Sequence, residues 1–493
     1  MLAEQLQVST ALGPVRGSED GETFAFLGIP YAHVRERFRS AEPAAPHAGT
    51  LEADHFGPRC PQGAKTKDEM AEDCLTLNIW VPRQGRSGRP VLFFVHGGAF
   101  SGGSSSAPDI RGADLAAALD AVVVTVNYRI GVFGFVDFTS LNPSLENNLG
   151  IRDVLLALDW IRSHIADFGG DPDNITMSGQ SAGATICSIL PVLPKHCQNV
   201  RRALLMSAGP TLISTPEEAA AGAEAFLRCA GTDLETLRRL PAPLLLSHQL
   251  SYIRCSGRGA GTYMPVVDGA LIRDYPIAAA ARGEASPLPM LIGTTREEMS
   301  FLFVPPVAKA LEITDIMEAG VEAEDPVVRD RIARSYDRYG RRGRALLISD
   351  LVFRMGSVWL AEAMSSLTDV WMYRFDFETP AMKVSQLHAF HSSDLPFLFG
   401  NYREGLAPWM FCFSPSKKKI RQVTQEMRAD VAAFVRGAVL PWQQCRGEET
   451  PAKCYSDDSG VEACVHPDIK AVYKESAFYR RSFAGESNSS LSA

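Results

Sequence analysis

A serine held between two glycines, in Gly179-Gln180-Ser181-Ala182-Gly183, constrains this 493-residue chain more than any other feature. The spacing permits a turn too sharp for larger neighbours, and such a turn pushes the serine hydroxyl outward into a site. The flanks match: Asn174-Ile175-Thr176-Met177 predicts a short buried strand, and Ala182 to Leu190 has the apolar content of a helix that starts directly after the serine. A nucleophilic serine also needs donors for the negative oxygen that develops on an attacked carbonyl. His96-Gly97-Gly98-Ala99-Phe100 follows the apolar run Val91-Leu92-Phe93-Phe94-Val95. The N–H groups of Gly98 and Ala99, joined by that of Ala182, are candidates for this cradle; losing one such donor typically costs about 3 kcal/mol of transition-state stabilisation.

A serine hydroxyl needs a base, and the base needs an acid to orient it. In the fold that such an elbow implies, the chain order is serine, acid, histidine. Of the ten histidines, His388, His391 and His466 leave room for an intervening acid. His466 lies in a polar, cysteine-bearing segment, and His388 reads as a scaffold residue. His391 opens His391-Ser392-Ser393-Asp394-Leu395-Pro396-Phe397, a polar turn that leads into an apolar segment, and is the candidate base. For the acid, Leu288 to Ile292 predicts a buried strand followed by Gly293-Thr294-Thr295-Arg296-Glu297-Glu298, the strand end at which α/β folds place functional groups. The residues alone leave Glu297 and Glu298 both open. Asp268, beside Gly269, reads as a turn residue.

Further motifs carry a family resemblance: Gly28-Ile29-Pro30-Tyr31-Ala32, Arg37-Phe38, Phe56-Gly57-Pro58-Arg59-Cys60-Pro61-Gln62, Glu72-Asp73-Cys74-Leu75-Thr76-Leu77-Asn78-Ile79-Trp80, Asn127-Tyr128-Arg129, and Phe168-Gly169-Gly170-Asp171-Pro172 before the elbow. With them the chain resembles the type-B carboxylesterases, the α/β-hydrolase family of cholinesterases, liver-type carboxylesterases and bacterial para-nitrobenzyl esterases, and in style it is nearest the last. The resemblance implies hydrolysis of carboxylic esters through an acyl-serine, with nucleophile Ser181, acid Glu298, base His391, and oxyanion donors Gly98, Ala99 and Ala182. It implies no cofactor, and a small-molecule ester as the partner. It also implies a disulfide between Cys60 and Cys74. Departures from the family pattern are Gln180 where Glu is more frequent, Glu297-Glu298-Met299 where Asp-Glu-Gly is usual, and Asp394 where Glu is common. The stretch from Pro61 to Asp73 lacks the tryptophan by which cholinesterases hold quaternary ammonium, so weak selectivity for choline esters is expected. Acyl transfer, or hydrolysis of one specialised natural-product or xenobiotic ester, is the alternative use of such a site; a non-catalytic adhesion module of the same fold ranks last.

The expected architecture is α/β, a large, mostly parallel central sheet with helices on both faces, forming one catalytic domain over 1–493 with a polar, cysteine-bearing tail from about 445. Hydrophobic residues at 46% and charged residues at 22% fit a globular chain with a large core. Strands are predicted at Val91 to Val95, Ala121 to Asn127, Ile175 to Ser178, Ala203 to Ser207, Pro289 to Ile292 and Val370 to Phe377. Between them, Ile151, Val154, Leu155, Leu158, Ile161, Ile165 and Phe168 make one helical stripe. Met299 to Pro306 is an apolar run that suits a substrate rim or the core, and Thr314 to Arg344 reads as peripheral helices. Lys417-Lys418-Lys419 opens an amphipathic helix through Val423, Met427, Val431 and Phe434, and Ser414 to Lys417 matches an S-x-x-K pattern by coincidence.

A net charge of -8 repels phosphate backbones and anionic lipid surfaces, so nucleic acid is excluded as a partner. No segment has the apolar length of a membrane span, and the start of the chain does not read as a secretory signal. The expectation is therefore a cytoplasmic protein, or a secreted one if a signal was removed; monomer and dimer both fit. A second disulfide of the family is not evident, because Cys229 meets no cysteine in Thr236-Leu237-Arg238. Cys445, Cys454 and Cys464 lack zinc-site spacing, and no metal is expected. Asn174 and Asn488 head glycosylation sequons.

Overall fold

In the computed structural model, which describes residues 6–63, 68–84, 87–256, 261–304, 324–402 and 417–485, alternating strands and helices build one large sheet. Its strands are β1 (Ser18–Asp20), β2 (Thr23–Pro30), β3 (Thr76–Pro82), β4 (Arg89–Val95), β5 (Val122–Val126), β6 (Gly170–Gln180), β7 (Arg202–Met206), β8 (Met290–Thr295), β9 (Val370–Phe375), β10 (Pro451–Tyr455) and β11 (Gly460–Ala463). They lie in the order β11-β10-β9-β8-β7-β6-β4-β5-β3-β2-β1. From β5 across to β10 every neighbouring pair is parallel. The two edges are antiparallel. All six predicted strands are present, and the sheet is parallel at its centre and mixed overall.

Burial on both faces explains the continuous apolar runs of the central strands. Along β4, Val91, Phe93 and Val95 enter one apolar cluster while Leu92 and Phe94 enter another, and all five are fully buried. Helix α1 (Ala113–Leu119) contributes to the second cluster. The stripe of α2 (Leu149–His164), with α3 (Ala182–Ile189), belongs to the first. Further along the chain come α4 (Pro216–Ala230), α5 (Ala242–Cys255) and α6 (Met355–Met364). Helix α7 (Lys417–Val435) buries Val423, Met427, Val431 and Phe434 in the second cluster and leaves Lys417 and Lys418 exposed.

The segment read as a polar tail is instead folded through 485. It supplies β10 and β11, and Tyr473 and Phe478 pack near the Trp359 ring of α6. Its buried positions come singly or in short pairs, such as Cys454-Tyr455 and Cys464-Val465, among polar residues, so composition hides them. Strands β2 and β3 were also not predicted. β3 buries the polar side chain of Asn78, which accepts from the Gly28 N–H at 2.9 Å and donates to Ser105 Oγ and Thr125 Oγ1, both at 3.0 Å. Asn174 of the first sequon lies in β6, with its side chain accepting from Arg202 at 2.8 Å. Ser414 to Ser416, Asn488, Pro305 and Pro306 lie outside the described residues, as does Thr314 to 323. Among the described residues no helix is long and apolar enough to cross a membrane.

Arg129, in the Asn-Tyr-Arg motif after β5, is buried against Asp153 of α2. Its Nε and Nη2 donate to the two carboxylate oxygens at 2.8 and 2.7 Å, and Nη1 donates to the Arg39 carbonyl at 2.6 Å. Removing one partner of such a pair strands the other charge in the interior. Asp153→Ala is expected to lower the free energy of unfolding by about 3–5 kcal/mol in denaturant titrations, and a loss below about 1 kcal/mol would contradict this assignment.

Candidate active site

Strand β6 ends at Gln180 and α3 begins at Ala182, so Ser181 makes the turn by itself, at φ 55° and ψ -123°. A non-glycine residue held there carries roughly 1–3 kcal/mol of strain. The surroundings enforce it: the Ser181 N–H donates to the Met206 carbonyl at 2.9 Å, and its carbonyl accepts from the Thr185 N–H at 2.8 Å. Both flanking glycines are dictated by close approach. A Cβ at Gly179 would overlap the Gly183 backbone, and one at Gly183 would overlap the Val95 carbonyl.

The register of β6 against β4 sets Gly179 opposite Val95, which puts the Gly-rich loop beside the elbow. Gly98, Ala99 and Phe100 all have positive φ, at 118°, 51° and 55°. The loop closes on itself through Ser101 and Gly102 N–H groups that donate to the Gly98 carbonyl at 3.0 and 2.9 Å. Gln62 anchors its far end, accepting from the Gly103 N–H at 3.0 Å and donating to the Gly103 carbonyl at 2.8 Å. His96 is a structural member of this loop. Its ring stacks on Tyr128 at 4.4 Å, its Nδ1 lies 2.7 Å from the Gly97 carbonyl, and burial pushes it down to about 4, so it is neutral near pH 7.

His391 Nδ1 lies 2.7 Å from Glu298 Oε2. Glu298 is fully buried, and its other oxygen accepts from Ser207 Oγ at 2.8 Å and from the Thr295 N–H at 2.6 Å. Burial pushes this carboxyl up, but the hydrogen bond and charge of His391, with the Thr295 and Ser207 donors, more than offset it and hold the group below its ordinary range. The backbones are tied as well, since the His391 N–H donates to the Glu298 carbonyl and the Glu297 N–H to the Ala389 carbonyl, both at 2.9 Å. Phe353 stacks on the imidazole at 4.4 Å.

With Nδ1–H directed at Glu298, Nε2 presents a lone pair. The Gln180 carboxamide nitrogen stands 3.0 Å from it as the donor. Among the described residues no hydrogen bond joins Ser181 Oγ to His391, so Gln180, one residue before the serine, holds the imidazole.

The other candidates separate cleanly. Glu297 turns away from His391 to pair with Arg342, which also pairs with Glu378 at 3.2 Å, and His388 Nδ1 lies 3.3 Å from Glu378. Ligand atoms of Glu297, Glu378 and His388 fall within 4.8 Å of one another, but the Arg342 guanidinium supplies the positive charge of this cluster. Asp268 is a turn residue whose Oδ1 accepts from the N–H groups of Ala270, Leu271 and Ile272. His466 sits near Arg338 and Asp468. Sequence reasoning missed Ser207, Phe353 and Arg354. Ser207 follows β7 directly, and its place at a strand end beside the elbow was the available signal.

Cys60 and Cys74 are buried, and their sulfurs are close enough to hydrogen-bond; both are free thiols here. Cys229 does meet a partner, but it is Cys255 at the end of α5 rather than a residue near Thr236.

The elbow follows β6, the Gly-rich loop follows β4, Glu298 follows β8 and His391 follows β9, so the carboxyl ends of parallel strands gather every part. That arrangement is the α/β-hydrolase fold. The chain belongs to the carboxylesterase family, whose model matches residues 4–439, and it is a carboxylic ester hydrolase of the serine class. It is 34% identical to the para-nitrobenzyl esterase of Bacillus subtilis, covering 80% of this chain and 83% of that one. To the phenmedipham hydrolase of Pseudarthrobacter oxydans it is 30% identical over 94% of this chain and 98% of the other. The crystal structure of the carboxylesterase EST55 of Geobacillus stearothermophilus superposes with a TM-score of 0.83 at 36% identity, over 95% of this chain and all (100%) of that one.

Asp394, three residues beyond His391, is fully buried and accepts from the Tyr373 hydroxyl at 2.9 Å. Burial, then the charge of Glu298, pushes it up to about 7. The folded protein therefore holds this proton more tightly than the unfolded chain, and the fold loses stability as pH rises from about 4 to about 7. Asp394→Asn cannot ionise. Thermal melts should find the variant gaining on the parent by roughly 3–4 kcal/mol between pH 4 and pH 8. An offset independent of pH would refute a protonated Asp394.

Proposed function

We propose that Ser181, His391 and Glu298 act as nucleophile, base and orienting acid, and that the N–H groups of Gly98, Ala99 and Ala182 hold the oxyanion. The 2.7 Å contact between His391 and a buried Glu298, beside a serine held on a strained elbow, carries this reading. An ester carbonyl enters with its oxygen toward the Gly-rich loop. The Ser181 hydroxyl replaces the Gln180 amide at Nε2, gives its proton to His391 and attacks. Glu298 stabilises the imidazolium that forms. His391 then protonates the leaving alcohol, and water repeats the sequence on the acyl-serine.

The substrate class follows from what borders the base. Met299, Ile348 and Phe353 form a small apolar cluster of their own, with Phe301, Leu302 and Val352 packed on it. Phe353 carries this surface to the face of His391. Uncharged esters with an apolar acyl or aryl-alkyl part suit it, in keeping with the relative named for para-nitrobenzyl esters. An acylcholine should gain no advantage over a neutral ester of equal size.

Ser181→Ala is expected to lower kcat on p-nitrophenyl esters by at least about 10⁴-fold while the melting temperature stays close to the parent's; retention of a tenth of the activity would remove Ser181 from the chemistry. Gln180→Glu sets a carboxylate against Nε2 and favours the protonated imidazole, whose other neighbours are the Glu298 carboxylate and the largely neutral Asp394. The acid limb of the kcat/KM profile should move upward by about 1 pH unit or more. An unmoved limb would show that residue 180 does not face the base.

A further inference from the structure

Helices α4 and α5 pack side by side and carry one cysteine each at their C-terminal ends. Cys229 lies in the last turn of α4, Cys255 is the last residue of α5, and their sulfurs are 2.6 Å apart, the Cys229 thiol donating. A covalent S–S bond is about 2.05 Å, so closure requires only a small side-chain adjustment. The pair is reachable from solvent: Cys255 is exposed and Cys229 partly so, beside an open surface cavity of about 360 Å³ lined by Gly222, Ala225, Arg228, Tyr252 and Cys255. Cys60 and Cys74, by contrast, are sealed in the core at 3% and 0% exposure. Cys255 is the more exposed of the two and accepts the hydrogen bond of the Cys229 thiol, so it is the sulfur that reacts first.

Helix α5 also braces the oxyanion loop from behind. Gln249 is fully buried, and its Oε1 accepts from the Val132 N–H at 2.9 Å. It lies so close to Gly131 that a Cβ there would overlap the carboxamide, and the Gly131 N–H donates to the Phe100 carbonyl at 2.5 Å. One residue on, Leu250 packs where a Cβ at Gly63 would stand, next to the Gln62 that anchors Gly103. Phe100 and Gly103, both just after Gly98 and Ala99, thus lean on this one helix through Gly131 and Gln62.

We propose that Cys229 and Cys255 form a redox-modification site, a thiol pair that closes to a disulfide, staples α4 to α5 and stiffens the brace behind the oxyanion loop. The oxidant is a low-molecular-weight disulfide. The Cys255 thiolate attacks one of its sulfurs, breaks that S–S bond and expels one thiolate, leaving a mixed disulfide on Cys255. Cys229 then loses its proton to solvent and attacks the Cys255 sulfur, expelling the second thiolate. Two cysteine thiols are oxidised and one small disulfide is reduced to two thiols. The staple itself stands apart from the catalytic assignment; only the oxyanion role of the loop it braces rests on that reading.

The full chain is treated with oxidised glutathione or with dithiothreitol, alkylated under denaturing conditions, digested and mapped by mass spectrometry. After oxidation a peptide bearing Cys229 should be linked to one bearing Cys255, with loss of two alkylatable thiols, and Cys229→Ser or Cys255→Ser should abolish the link. Oxidised protein should hold its p-nitrophenyl esterase activity severalfold longer at an inactivating temperature than reduced protein, a difference absent from both variants. The two redox states of the unmutated chain make this comparison even if a variant fails to fold. Free alkylation of both cysteines after oxidation, or glutathione adducts without the link, would overturn the pairing. A formed link with identical inactivation half-lives would overturn the brace.

Discussion

The approach of the Gly183 backbone to the Val95 carbonyl is the contact on which the rest of the site depends. No side chain fits between them, so α3 starts against the end of β4 rather than a few ångströms away. That forces Ser181 into a left-handed turn and sets the Gly-rich loop beside it. The strain at Ser181 is held by the strands on either side, through the Met206 carbonyl behind and the helix ahead. Because β6, β7, β8 and β9 are parallel and in register, their carboxyl ends arrive at one level, where Ser181, Ser207, Glu298 and the turn before His391 meet.

Charge is distributed there with the same economy. Glu298, Asp394 and Asp350 are all buried near one another, and three carboxylates in so dry a region would repel. Each is handled differently. Glu298 stays ionised because its donors and His391 face it, Asp350 is ion-paired with Arg354, and Asp394, despite the Tyr373 hydroxyl that donates to it, is driven toward the neutral acid by burial and the Glu298 charge. The negative charge of Glu298 is thereby left facing the imidazole, as the orienting role proposed for it requires.

The centre of this fold was legible in the sequence because parallel strands buried on both faces appear as unbroken apolar runs, as in Val91 to Val95, and because the elbow fixes its own strand and helix. The candidate site was legible for the same reason, except where chemistry depends on direction. Glu297 and Glu298 are adjacent, equally acidic and equally buried, and only the turn at the end of β8 decides which one meets His391 and which one meets Arg342. The edges were hidden: β3 buries Asn78 in a polar network, β10 buries Ala452, Cys454 and Tyr455 beside Lys453, and β11 buries none of its residues. The Cys229–Cys255 pair was hidden too, because two helices and 26 positions of chain separate residues that their packing brings together.

The helical segment before α6 explains why Phe353 and Arg354 gave no signal. Residues Asp350–Arg354 form a π-turn, which inserts one extra residue into the helical register and so turns successive side chains onto faces that a 3.6-residue period does not anticipate. As a result Phe353 reaches the His391 ring while Arg354, the next residue, reaches the Thr295 carbonyl at 2.8 Å and the Arg296 carbonyl beside it. A single local irregularity therefore covers His391 with an apolar face and fixes the end of the strand that leads to Glu298.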